Sequence, residues 1–316
     1  MRRFLLAGVA LALFTTGTLA QEPWKPTKPI KIVVPFAPGG GADTSARLVS
    51  KGLSERLGQP VIVENKPGAS GAIGSDFVYG ATPDGTVLLA ATSDAQAVNP
   101  HLHKTKSETM KFVPLAGITS SSFVLMGRKD LAAADLRELL ELTKTKSLSY
   151  ASAGSGTAIH VVTAAFASVA KIGNMLHVPF QGGGPAIQAV LAGDVDLMMV
   201  PGSIAGAYLA RLKVYGSTGT KRNEFMAAVP TLTEQGMALV ADSWTGLVAP
   251  PDTPPLIASA LAKAVFETVN EPAMQKLFKD QSRESFRLDQ VQFAKYYNEE
   301  FVTWGRLIKS ANVKTD

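Results

Sequence analysis

One recurring unit constrains this chain more than any other feature: a short β-branched run that ends in a glycine-rich turn and opens a helix. Lys31-Ile32-Val33-Val34-Pro35-Phe36 runs into Pro38-Gly39-Gly40-Gly41, and behind that turn Ala46, Val49, Leu53 and Leu57 keep helical spacing up to Gly58. Further strands are predicted at 61–63 and 86–92, with a second glycine loop at 68–74 between them. Residues 113–118 and 123–126 read as two strands separated by Thr119-Ser120-Ser121-Ser122, where the chain crosses to a second unit. There the pattern repeats. A strand at 148–151 enters Ala153-Gly154-Ser155-Gly156-Thr157, a strand at 176–180 enters Gly182-Gly183-Gly184-Pro185, and an apolar strand at 195–200 meets Pro201-Gly202. Residues 244–248 cross back, and amphipathic helices at 255–269 and 288–310 close the chain. The expected fold is α/β: two lobes, each a mostly parallel sheet flanked by helices, with strand carboxyl ends facing each other across a hinged cleft. Lobe 1 is assigned to residues 21–123 plus 244–316 and lobe 2 to residues 124–243.

Residues 1–20 stand apart. Met1-Arg2-Arg3 is a positive start, residues 4–13 are an apolar run too short to span a bilayer, and Thr18-Leu19-Ala20 offers small residues for cleavage after Ala20. This is a secretory leader that directs the chain to the periplasm. The chain has no Cys, which excludes a lipid-anchored form, a disulfide framework, a Cys-ligated zinc site and a thiol nucleophile. Without Arg2 and Arg3, 29 Lys and Arg stand against 26 Asp and Glu, and aromatic residues are only 7% of the chain. No basic run or stacking platform for nucleic acid results, and a mild positive balance suits a small anion.

The turns at Gly39-Gly40-Gly41 and Gly154-Ser155-Gly156-Thr157 share exposed backbone N–H groups with a helix N-terminus behind them, so each is an anion cradle. Neither is a phosphate motif. No Lys follows as a P-loop demands, and Ile159 stands where a dinucleotide fingerprint needs Gly or Ala. A carboxylate, which two or three N–H groups can hold, fits better. Asp43 is either a helix N-cap or an acceptor inside the cleft. Thr92, Ser93 and Gln96 add neutral groups at the same rim, and His160 either touches the anion or packs in the first helical turn. No nucleophile elbow is present, His101 and His103 lack a third ligand for metal, and His177 reads as core. No catalytic residue, metal or cofactor is expected.

At these residues the chain resembles the Bug-type extracytoplasmic solute receptors of tripartite tricarboxylate transporters. The resemblance is carried, over about residues 28–312, by the 35–43 and 58–68 blocks, Pro83-Asp84-Gly85, Tyr150-Ala151-Ser152 with Gly154-x-Gly156-Thr157-x-x-His160, and His177-Val178-Pro179. It implies a two-lobed periplasmic binding protein of type II-like architecture, monomeric, that closes on a small organic carboxylate and delivers it to a two-component integral membrane permease. It implies a ligand grip by Phe36, Ala37, Gly39, Gly40 and Gly41 from lobe 1 and by Ser155, Gly156 and Thr157 from lobe 2. Phe180-Gln181-Gly182 stands where the family often has Tyr-Lys-Gly, and an Asp frequent after the strand ending in Val200 is missing. Phe180, Gln181 and Val200 are therefore expected on a more apolar lobe-2 wall, which favours a ligand with an aromatic or aliphatic body over citrate. The competing class is a secreted hinged α/β hydrolase or transferase acting on a small carboxylate.

Overall fold

The computed structural model describes residues 24–313, so the expected leader and its cleavage point after Ala20 lie outside the described residues. The first half folds as β1 (Ile30–Val34), α1 (Gly41–Leu57), β2 (Val61–Asn65), α2 (Ala72–Tyr79), β3 (Val87–Thr92), a turn of π-helix (Ser93–Val98) and α3 (Asn99–Leu102). A long strand, β4 (Val113–Gly127), leads into α4 (Leu136–Thr143), β5 (Leu148–Ser152), α5 (Ala158–Val169), β6 (Met175–Pro179), α6 (Gly183–Ala192) and β7 (Leu197–Pro201). Then follow α7 (Gly202–Ala205), β8 (Lys213–Ser217), β9 (Asp242–Ala249), α8 (Pro255–Asn270), α9 (Pro272–Asp280) and α10 (Gln290–Ser310).

These strands make one curled, mixed sheet in the order β2-β1-β3-β9-β4-β7-β5-β6, with β8 also on β4. The β1–β2, β1–β3, β5–β6 and β5–β7 pairs are parallel. Antiparallel β9 and β4 join the two halves. Residues 113–122 of β4 pair with β9, whereas residues 123–127 pair with β7 and β8. This corrects the expected break at residues 119–122. Hydroxyl side chains tolerate extended backbone, and here they continue the strand opposite Asp242, Ser243, Trp244 and Thr245.

Local chemistry sets the helix ends. Asp289 and Gln292 form a reciprocal capping box at α10, and Asp135 caps α4 by accepting the Glu138 N–H. Close packing sets one glycine: a Cβ on Gly246, in β9, would collide with the Phe293 ring of α10. One buried cluster runs from Val33 and Leu89 through β4, β5 and β7 to Trp244, Tyr297 and Trp304. A second, including Ile32, Val49, Leu247 and Val265, packs α1 and α8 against the other face of the first sheet half. Leaving water at about 25 cal/mol per Å² of apolar surface, these clusters hold both halves to the shared strands.

Candidate functional site

The strand carboxyl ends surround a cavity of about 570 Å³. One wall is the loop after β1, Phe36 to Ala42. Thr92 ends β3 and Asp94 follows it, and Thr119, Ser120 and Ser121 come from the middle of β4. Ser243, Trp244 and Thr245 come from β9, Gly182 and Gly183 from the start of α6, Pro201 from the end of β7, and Ser203 and Ile204 from α7. Arg283 and Glu284 close it from the segment between α9 and α10.

The first glycine loop is the best-organised part. Gly39 has φ +84°, a left-handed backbone that glycine adopts without strain, and its N–H donates to Asp43 Oδ2 at 2.9 Å. Asp43 is buried, accepts from Arg47 Nε at 3.0 Å, and accepts from Asn65 Nδ2 at 3.0 Å. Asn65 Nδ2 also donates to the Phe36 carbonyl at 2.9 Å. The hydrogen bond from Arg47 above all, with those from Gly39 and Asn65, holds the Asp43 carboxyl below its usual range. Asp43 thus braces the loop and does not line the cavity. Gly40, Gly41 and Ala42 lie at the start of α1, where the first N–H groups have no intrahelical acceptor, and all three line the cavity. A Cβ on Gly40 would meet only the Ala37 carbonyl, at 3.6 Å.

The second cradle is arranged differently from expectation. Ser155, Gly156 and Thr157 do not line the cavity. Thr157 Oγ1 donates to the Gly154 carbonyl at 2.8 Å and caps α5 by accepting the His160 N–H. The Gly156 N–H donates to His160 Nδ1 at 3.0 Å, so that nitrogen carries no proton. Burial, with the neighbouring His177, pushes His160 down to about 4, and its ring stacks on His177 at 3.8 Å. His160 is a neutral packing group. The first N–H of α5, on Ala158, donates to Asp94 Oδ1 at 2.8 Å, a carboxylate from the loop after β3.

Other residues expected at the site also lie off the cavity wall. Ser93 is fully buried behind the wall, and Gln96 is committed to Ser75 Oγ at 2.7 Å and Tyr297 Oη at 2.8 Å. Val200 lies in the larger buried cluster with no exposure, and Phe180 packs against the edge of that cluster. Gln181 is exposed beside, and not on, the wall that Gly182 and Gly183 form. The apolar lining comes instead from Phe36, Pro38, Trp244 and Ile204. Of the residues expected at the site or its rim, Phe36, Ala37, Gly39, Gly40, Gly41 and Thr92 line the cavity.

Sequence reasoning missed the hydroxyls of β4 and β9 as lining groups, although the run Thr119-Ser120-Ser121-Ser122 was itself the signal. It also missed Arg283, which no local pattern marks. Arg283 lines the cavity without a hydrogen-bonded or ion-paired carboxylate among the described residues, and burial lowers its pKa. Behind the wall, burial pushes Asp242 up to about 6, with the charge of Glu284 adding to it. Among the described residues no three His, Asp or Glu side chains converge as metal ligands.

A hydroxyl-lined cleft with free helix N-terminal amides on one side is suited to holding a small anion. The chain belongs to the tripartite tricarboxylate transporter family of receptors, whose family model matches residues 45–313. It is 34% identical over 288 residues to the UPF0065 protein in the tcbD-tcbE intergenic region of Pseudomonas sp. strain P51, covering 88% of this chain and 85% of that one. Among solved structures, the periplasmic binding protein BugD matches at TM-score 0.78 and 29% identity, over 92% of this chain and 100% of its own. MatC from Rhodopseudomonas palustris, solved with bound malate, matches at TM-score 0.77 and 30% identity, over 90% of this chain and 99% of its own.

Proposed function

We propose that this protein is a periplasmic receptor that binds a small organic carboxylate in the cleft and hands it, chemically unchanged, to a two-component integral membrane permease. One observation carries the reading: the braced α1 terminus presents Gly40, Gly41 and Ala42 to a cavity ringed by hydroxyl groups. A carboxylate there would accept two or three N–H bonds, with the helix dipole favouring its charge. Residues 21–123 plus 244–316 and residues 124–243 act as the two lobes, hinged at β4 and β9. The mature chain begins after Ala20 and works as a monomer. The malate in MatC supports a hydroxyl-bearing acid as the first probe. The enzyme reading has less support, because the Ser152–His177 pair, 2.7 Å apart, has its serine fully buried and lies off the cavity wall.

Calorimetry with malate on the wild type and on Gly40→Val tests the proposal. The backbone at Gly40 is extended and its Cβ position is open, so the variant folds while its side chain covers the amides. Malate affinity is expected to fall tenfold or more, with malate recovered intact after prolonged incubation. Equal affinity in the two proteins, or turnover of malate, would refute it.

A further inference from the structure

We infer that Arg283 is a specificity-determining residue, the cation that receives a second carboxylate of the ligand while the first rests on α1. The inference deepens the receptor reading above and rests on it. Among the described residues that line the cavity, Arg283 is the one Lys or Arg. The two acids of the same wall are already engaged: Asp94 accepts the Ala158 N–H at 2.8 Å, and Glu284 takes a hydrogen bond from Asn223 and lies near the charge of Lys221. Arg283 has no such partner. Its guanidinium is charged at any ordinary pH, and burial penalises that charge, so it loses water in the wall without a counter-ion from the described residues.

The backbone holds this side chain at the cleft from both directions. Helix α9 closes with the Ser282 N–H donating to the Lys279 carbonyl and the Arg283 N–H to the Phe278 carbonyl, each at 2.9 Å, a double closure that calls for a left-handed residue. Ser282 supplies it at φ +51°, a conformation costly for a residue with a side chain. Downstream, the Ser120 N–H donates to the Glu284 carbonyl at 3.3 Å and the Phe286 N–H to the Ile118 carbonyl at 2.9 Å, which ties the segment to the middle of β4. The planar fork of the guanidinium matches both oxygens of a carboxylate. Phe36, Pro38, Trp244 and Ile204 give the same cavity apolar surface. A ligand with a carboxylate at each end of a short aliphatic body satisfies the α1 amides, Arg283 and that surface together, whereas a monoacid leaves Arg283 without a counter-ion.

Adipate and hexanoate, which differ in carrying a carboxylate or a methyl at the far end, test this by calorimetry, with circular dichroism to check that each variant is folded. Wild type is expected to bind adipate more tightly than hexanoate. Arg283→Gln is expected to lose roughly tenfold or more in adipate affinity and less than about threefold in hexanoate affinity. Arg283→Lys, which keeps the charge, is expected to recover at least about threefold of the adipate affinity lost in Arg283→Gln. If hexanoate is too weak to measure in wild type, as the inference allows, the two adipate comparisons decide. Adipate binding to wild type no more tightly than hexanoate, equal losses for the two acids in Arg283→Gln, a smaller adipate loss, or no recovery in Arg283→Lys overturns the inference. The receptor reading is decided separately, by malate on Gly40→Val.

Discussion

Glu300 of α10 lies behind the cavity wall, and its Oε2 accepts both the Trp244 and the Trp304 indole N–H, each at 2.9 Å. Two hydrogen bonds favour the charged form, yet burial outweighs them, and the nearby Asp242 charge adds to burial in pushing Glu300 up to about 7. The folded value therefore exceeds the ordinary value of 4.5. The folded state binds the proton more tightly, so the resulting stability is fully present below about pH 4.5 and is lost as pH rises through about 7. At 1.36 kcal/mol per pH decade this amounts to about 3 kcal/mol. Asp242, pushed up to about 6, slopes the same way. Glu300→Gln keeps one oxygen for both indoles and cannot ionise. Urea unfolding between pH 5 and pH 8, followed by tryptophan fluorescence, should show wild type losing stability toward pH 8. The variant should keep only the shallower slope due to Asp242 and should exceed wild type at pH 8. Parallel curves for the two proteins would refute burial as the cause.

Thr157→Ala should cost about 1 kcal/mol of stability through loss of the α5 cap, read by thermal unfolding. Malate affinity should change less than threefold, because Thr157 does not line the cavity; a tenfold loss would return it to the ligand grip. Arg283→Gln should weaken malate by ten- to a hundredfold in calorimetry, corresponding to about 1.5 to 3 kcal/mol for a hydrogen bond to a charged group, while hexanoate changes less than threefold. Equal losses for both acids would show that Arg283 does not meet the second carboxylate.

The strand-turn-helix series was legible in the sequence because its signals are local. β-branched runs such as Ile32-Val33-Val34 form strands wherever they can be buried, and Gly39 supplies a backbone conformation costly for other residues. The α1 cradle follows from the same local chemistry, since a helix N-terminus leaves its amides free whatever surrounds it. What occupies each terminus was decided only by the tertiary structure. Two similar glycine loops precede α1 and α5, but the sheet brings Asp94 onto α5 and leaves α1 open. Asp43 turns into the brace because Arg47 and Asn65 converge on it, and Val200 turns into the core because strand register, not residue type, selects the face a side chain occupies. The rest of the wall, Thr119 to Ser121, Ser243 to Thr245 and Arg283, is assembled from segments distant in the chain. Their proximity depends on how β4 and β9 pair, which no local pattern records.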